Sequence, residues 1–359
     1  MSPPGRPKGE YRSAEREGTP MSFADRVVTA WYTPRMTPLA VSLWPLSVVF
    51  RAAVALRRWL YRAGVLPSAR LPVPVVVVGN IAVGGAGKTP LALALAHALT
   101  AHGWHPGIVS RGYGGTARAA QAVTVESDPA VVGDEPLLFA AAGHPVWIGA
   151  DRTAAGRGLI EAHPACDVLL SDDGLQHYRL ARTVEIAVID ATRGFGNELL
   201  LPAGPLREPI ARLSEVDAVV RLVGRDAPRP SATNGRETVM THEPLPWRNV
   251  QDAGRVADPG AWRDREVHVV AGIGHPQRFF GMVRSLGITA IEHAFPDHHP
   301  WTAAELAFPG AAVILMTQKD AVKCAKFADD RYWYLPLSAT LDPALVTLVE
   351  NMIRGSKTA

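Results

Sequence analysis

Residues 75–89 read VVVVGNIAVGGAGKT, four consecutive valines running into a glycine-rich loop that closes on Gly87-Lys88-Thr89. A β-branched run without polar alternation marks a strand buried on both faces, as in a parallel sheet covered by helices on each side. The loop has the composition of a phosphate cradle. Gly84, Gly85 and Gly87 let backbone N–H groups turn toward an anion, with Ala82, Val83 and Ala86 completing the turn. Lys88 is placed to reach terminal phosphates, and Thr89 to hold Mg²⁺ at the start of a helix predicted over 89–102. The loop departs from a strict GxxxxGK[ST] motif at Ala82, where the motif has glycine.

Outward from this stretch, strands and helices alternate. Strands are expected over 75–79, 107–110, 145–149, 167–171, 184–190 and 217–223, with helices over 89–102, 134–142 and 151–163. Such alternation predicts an α/β fold of the P-loop NTPase type: a mostly parallel sheet with helices on both faces, occupying residues 71–225. Residues 226–262, rich in Pro, Arg, Asp and Gly, read as a linker with a short hairpin. A second, smaller α/β domain is expected over 263–359, with strands 266–271, 288–294, 312–317 and 332–337 and helices 276–286 and 342–354.

The chain has 359 residues, 47% hydrophobic and 20% charged, a globular composition. Its net charge of +3 is unevenly distributed. Residues 21–70 carry seven arginines and one acid (+6), and residues 1–20 carry four bases and three acids (+1), which leaves −4 on 71–359. The body of the chain that carries the phosphate loop is thus mildly acidic, which argues against nucleic acid as a partner. Cys166 and Cys324 form neither a zinc pattern nor a disulfide framework, so a reducing cytoplasm is expected. Residues 1–20 lack apolar periodicity and read as a disordered tail, with Met21 an alternative start and no cleavable signal.

Segment 39–56, LAVSLWPLSVVFRAAVAL, is apolar but interrupted by Pro45 and Arg51, and Arg57, Arg58 and Arg62 follow with Trp59 and Tyr61 among them. Three readings stand: a helix lying at an anionic membrane surface, a helix packed on the protein's own core, and a true span. Arginines with interfacial aromatics favour the first.

Several other motifs could carry chemistry. Strand 167–171 runs into Asp172-Asp173-Gly174, where a metal-bridging carboxylate belongs downstream of a phosphate loop, and Gln176 and His177 add polar groups nearby. Adjacent acids at a strand end point to different sides. Loop 110–115, SRGYGG, follows a strand on the ligand-binding edge and offers Arg111 and Tyr113 for a phosphate and a sugar or acyl surface. Asp134 opens a helix, as an N-cap or as a functional acid. Asp297-His298-His299 sets a carboxylate beside imidazoles, which could accept a proton from an alcohol.

Taken together, these motifs resemble the tetraacyldisaccharide 4′-kinases of lipid A biosynthesis. GNIAVGGAGKTP, SRGYGG, GDEP (133–136), ADR (150–152), DDGLQHYRL (172–180), GNELLLPAGPLREP (196–209), AGIGHPQRFF (271–280), FPDHH (295–299) and TQKDAVK (317–323) follow in that family's order. Thr183, Gln318 and His275 depart from its usual residues. The resemblance implies transfer of the ATP γ-phosphate to the 4′-hydroxyl of a tetraacyldisaccharide 1-phosphate, with Mg²⁺. It would take place at the cytoplasmic face of the inner membrane of a Gram-negative bacterium, without an obligate protein partner. It also implies catalytic roles for Lys88, Asp134, Asp172, Asp173 and His298, with Asp134 and His298 acting together and Thr89, Asp172 and Asp173 at the metal. Substrate contacts would come from Ser110, Arg111, Gly112, Tyr113, Arg152, Gln176, His177, Asn197, Arg207 and Glu208. The competing class is a GTPase or metallochaperone-type NTPase, since Thr317-Gln-Lys-Asp320 mimics a guanine-reading NKxD motif. That class has a lysine where Val83 stands, and its DxxG switch is missing.

Overall fold

A computed structural model describes residues 23–33, 35–224, 236–262 and 265–357. The expected tail 1–20 and the first part of the expected linker lie outside these residues. In chain order the strands are β1 (Val75–Gly79), β2 (Pro106–Ser110), β3 (Gln121–Val123), β4 (Val146–Ile148), β5 (Val168–Asp172), β6 (Val184–Asp190), β7 (Ala218–Val223) and β8 (Glu237–Pro244). They continue with β9 (Trp247–Asn249), β10 (Val256–Ala257), β11 (Val267–Ala271), β12 (Ile291–Ala294), β13 (Val313–Thr317), β14 (Tyr332–Leu335) and β15 (Leu337–Leu341). The helices are α1 (Phe23–Trp31), α2 (Pro38–Arg62), α3 (Lys88–Ala101), α4 (Pro129–Val132), α5 (Asp134–Ala141), α6 (Arg152–Ala162), α7 (Pro276–Ser285), α8 (Gln318–Cys324) and α9 (Pro343–Lys357).

Nine strands form one sheet in the order β15-β8-β7-β6-β1-β5-β2-β4-β3, parallel from β8 through β4 with an antiparallel strand at each edge. The valine run explains its central position. Val76 and Val78 pack among Leu91, Leu95 and Leu99 of α3, while Val75 and Val77 face Ala155 and Leu159 of α6 on the other side. Each residue of β1 therefore has an apolar neighbour, which only a strand covered on both faces provides. The second sheet, β10-β9-β14-β13-β11-β12, is sandwiched in the same way, with Phe279 and Phe280 of α7 on one face and Ala321 and Cys324 of α8 on the other.

Two expectations change. Residues 237–244, read as linker, form β8, which pairs parallel to β7 and antiparallel to β15. Their alternating burial, with Thr238 and Met240 inside, is a strand signal that the flanking prolines and charges masked. The C-terminal stretch also leaves the small sheet: β15 closes the edge of the large one, and Leu345, Val349 and Ile353 of α9 pack in the core that holds α3. The chain thus crosses between sheets through β8–β9 and β14–β15.

Helix α2 starts at an N-cap, where the Thr37 hydroxyl accepts from Ala40 N at 3.1 Å and Pro38 occupies the first turn. It is long and apolar enough to cross a membrane by length and composition, with a mean hydropathy of 1.9 and only 11% of its apolar window buried. Val41, Trp44, Leu46, Val48, Val49, Leu56 and Trp59 are exposed. The buried contact is narrow: Ser47 Oγ donates to Leu200 O at 2.8 Å and accepts from Ala203 N at 2.9 Å, and Arg58 and Arg62 reach Glu215. The core-helix reading is therefore set aside, because a core helix buries its apolar face.

Candidate active site

The phosphate loop links β1 to α3 at the carboxyl edge of the large sheet. Gly87 is the N-cap of α3 at φ 87°, and a Cβ there would come within 2.8 Å of Leu222 Cδ2, so both conformation and space demand glycine. Gly84 also has a left-handed φ, 106°. Lys88 Nζ folds back to Gly84 O at 3.3 Å and faces Asp173 Oδ1 at 3.6 Å.

The two acids at the end of β5 diverge. Asp172 turns to α3, where Thr89 Oγ1 donates to its Oδ2 at 3.3 Å, and its Oδ1 is buried without a hydrogen-bond partner. Burial pushes the Asp172 carboxyl well above the usual range, aided by the neighbouring Glu135 and Asp173 charges. Asp173 adopts φ 48° and accepts from Arg207 Nη1 at 3.0 Å on both oxygens. Burial raises its pKa, but Lys88 and Arg207 outweigh that and hold it below the usual range. The bend is fixed from behind by Arg152, whose Nη2 donates to Asp173 O at 2.9 Å.

Asp134 opens α5 and is 3% exposed. His298 Nδ1 lies 3.1 Å from both of its oxygens, although 164 residues separate the two in sequence. Lys319 and Lys323 of α8 stand 3.8 and 3.9 Å from Asp134 Oδ2. Burial alone would raise the Asp134 pKa, yet the His298 hydrogen bond and the two lysines bring it below the ordinary value. Lys319 also reaches Glu135 and Asp297, each at 3.3 Å, and His298 Nε2 at 3.3 Å. His298 itself has φ 60° and lies edge-on to Tyr113, ring centroids 5.0 Å apart.

The other expected residues differ in what they do. Arg111 and Tyr113 are open to solvent on the site's rim, and Gln176 joins the centre by accepting from Arg207 at 3.3 Å and donating to Asn80 O at 3.0 Å. His177 is held neutral, its pKa lowered to about 4 by burial and the Arg152 charge, and its Nε2 has no protein partner. Ser110 is buried, and Gly112 packs so tightly that a Cβ would meet Val132 O at 2.9 Å, so these two shape the loop. Asn197 does not join the site. Its amide closes its own loop, donating to Ala203 O at 2.8 Å and accepting from Leu199 N at 3.2 Å. Glu208, 1% exposed, accepts from Tyr178 and Gln176 and supports the site from below. His299 pairs with Glu305 at 2.9 Å rather than with the Asp134 cluster.

Sequence reasoning missed Lys319 and Glu135, although both stand inside motifs it singled out, TQKDAVK and GDEP. Asp320 of the same motif is fully buried: Trp301 Nε1 donates to Oδ1 at 2.9 Å, and Gly272 N and Thr317 Oγ1 donate to Oδ2 at 3.1 and 2.7 Å. An aspartate so engaged is not available to read a guanine, which removes the main support for the GTPase alternative.

The family model for tetraacyldisaccharide-1-P 4′-kinase matches residues 39–354. The chain belongs to this family. It is 52% identical over 320 residues to the tetraacyldisaccharide 4′-kinase of Azoarcus sp. (strain BH72), covering 89% of this chain and 93% of that protein. It is 47% identical to that of Dechloromonas aromatica (strain RCB), covering 92% and 97%. A crystal structure of LpxK from Aquifex aeolicus in complex with ATP superposes with a TM-score of 0.74 at 28% identity, covering 88% of this chain and 99% of that one. That structure's fold thus coincides with the α/β architecture described above.

Proposed function

We infer that the protein transfers the γ-phosphate of ATP to the 4′-hydroxyl of a tetraacyldisaccharide 1-phosphate, using the cleft between the carboxyl edges of the two sheets. The observation that carries the reading is the convergence of the phosphate loop, Asp172/Asp173 and the Asp134–His298 pair, from four separate elements, in a chain of the 4′-kinase family.

The donor set fits Mg²⁺. Thr89 and Asp172 together leave one buried carboxylate oxygen unpartnered, and Mg²⁺ typically binds one or two carboxylates and a hydroxyl beside substrate phosphates. When bound, the ion neutralises charge on the β- and γ-phosphates. Asp173 is already held by Arg207 and Lys88, so it acts by fixing those two cations rather than as the principal ligand.

Asp134 accepts the proton of the 4′-hydroxyl, and His298 shares it through Nδ1. A weak base suffices, because phosphoryl transfer passes through a loose transition state in which the alcohol proton leaves late. Lys319 and Lys323 keep Asp134 ionised and aimed. His298 and Lys319 come from the small sheet and Asp134 from the large one, so the base is complete only when the two approach, which couples closure to chemistry. Arg111 and Tyr113, exposed on the rim of the site, would receive the polar part of the acceptor.

The exposed apolar face of α2, ending in arginines, supports seating on an anionic membrane surface where the lipid acceptor resides. The test is a nucleotide-preference assay with and without the lipid acceptor. The reading expects ATP turnover stimulated by tetraacyldisaccharide 1-phosphate. GTP preference, or turnover indifferent to lipid, would reject it.

A further inference from the structure

We propose that Arg193 is a second phosphate-binding cation of this site, held ready beside the phosphate loop by Tyr32 at the end of α1. The proposal rests on the nucleotide reading of the phosphate loop. Arg193 lies in the turn after β6, and its Nη1 is 3.2 Å from where a Cβ on Gly84 would stand. Gly84 O is also the acceptor for Lys88 Nζ. Two cations therefore flank the same peptide of the cradle, one from α3 and one from the β6 turn. Tyr32 and Arg193 together wall a small pocket beneath loop residues 80–86.

The guanidinium is stacked rather than neutralised. Its carbon sits 4.0 Å from the centroid of the Tyr32 ring. Asp190, the acid three residues earlier, is already used: Oδ2 accepts from Arg278 at 3.1 Å and Oδ1 from Thr192 N at 2.9 Å. The Tyr32 hydroxyl also shares a hydrogen bond with Arg193, and a guanidinium lying on an aromatic face keeps its remaining in-plane N–H donors for an anion, where its planar fork matches phosphate oxygens. In phosphoryl transfer, negative charge gathers on the transferring group and the bridging oxygen, which is where a cation beside Lys88 would act.

Tyr32 is a positioning residue with a fixed seat. The preceding Trp31 donates from Nε1 to Pro202 O at 2.8 Å, and its carbonyl accepts from Asn197 N at 2.7 Å. The closed loop that Asn197 maintains therefore finds a purpose: it holds the end of α1, and with it the ring under Arg193.

The experiment compares Arg193→Ala, Arg193→Lys, Tyr32→Ala, Tyr32→Phe and Lys88→Ala in the full-length protein. Readouts are kcat, KM for ATP and for lipid, and calorimetric affinity for ADP and a non-hydrolysable ATP analogue. Arg193→Ala is expected to lower kcat by about 10²–10³-fold, as for removal of one preorganised charge-stabilising donor. It should weaken the ATP analogue more than ADP and leave the lipid KM unchanged. Arg193→Lys should fall between, since an ammonium cannot reproduce the fork. Tyr32→Ala should show the same pattern reduced to between about two- and thirtyfold, the range of a cation–π contact, and Tyr32→Phe, which keeps the ring but not the hydroxyl contact, should fall between Tyr32→Ala and the wild type. If Arg193→Ala does not fold, Arg193→Gln is read in its place. Near wild-type kcat and analogue affinity in the Arg193 variants, with Lys88→Ala inactive, overturns the proposal alone. Activity in Lys88→Ala overturns the phosphate-loop reading beneath it.

Discussion

Replacing Asp134 by Asn removes the proposed base while keeping its shape, and the surroundings make this a test of chemistry rather than of folding. The two lysines and the histidine around Asp134 each keep other contacts. Lys319 retains Glu135 and Asp297 at 3.3 Å, Lys323 retains Asp320 at 2.8 Å, and His298 retains its edge contact with Tyr113. The stability loss should therefore be about 1–3 kcal/mol, that of a damaged buried hydrogen bond, rather than the larger penalty of stranding a buried charge. Turnover should suffer far more: kcat is expected to fall by about two to four orders of magnitude, the usual contribution of a positioned general base. ATP affinity should hardly move, since Asp134 lies outside the phosphate cradle. His298→Ala should give a similar loss, and because both residues serve one proton, the double variant should lose much less than the product of the two. The assay is steady-state transfer of labelled γ-phosphate to detergent-solubilised tetraacyldisaccharide 1-phosphate, with calorimetry for ATP and a thermal melt for each variant. Near-normal kcat in either single variant, or losses that multiply independently, would refute the pair and move the base to Asp172 or Asp173.

Lys88→Ala and Thr89→Ala should each nearly abolish turnover in the same assay while the melts stay close to wild type, because both groups serve charge on the transferring phosphoryl and its metal. The Asp134 carboxyl titrates below its ordinary value in the folded protein, so its stabilising contribution holds above the ordinary carboxylate pKa and fades as pH falls through the depressed one. Lys319→Met removes one of the charges that depress it, so the acid limbs of both kcat and thermal stability should shift toward neutral pH; unchanged limbs would show that the lysine does not act on Asp134. Trp44→Glu with Val49→Glu, both on the exposed face of α2, should move the protein from membrane to soluble fractions and leave kcat on detergent-solubilised lipid intact. High salt should partly release the unaltered protein, since arginine attraction to anionic lipid is screened, whereas retention through both salt and alkaline extraction would favour a spanning α2.

The large sheet was legible because its strands obey a local rule. Val75–Val78 is apolar without alternation, and a glycine loop ends it, so strand, turn and helix N-terminus could be read from neighbours alone. The GDEP and FPDHH motifs were visible too, but the distance between Asp134 and His298 depends on how two sheets face each other, which no local pattern encodes; only the family resemblance joined them in advance. Strand β8 was missed for the opposite reason. Its sequence, ETVMTHEP, alternates weakly between charged and proline-rich flanks, and its pairing with β7 and β15 is wholly non-local. Asn197 and Glu208 show a further limit. Polar residues in an unusual motif look like ligands of a substrate, yet here one closes a loop and the other supports Gln176 from a buried position.

The central claim is that this chain phosphorylates the 4′-hydroxyl of its lipid acceptor. The most direct test incubates the purified protein with ATP, Mg²⁺ and tetraacyldisaccharide 1-phosphate, then analyses the lipid by mass spectrometry and phosphorus NMR. The account predicts a product with one added phosphate, as a monoester at the 4′ position, formed by the wild type and not by Lys88→Ala. Phosphate released to water without a phosphorylated lipid, or a phosphate at any other position, would contradict it.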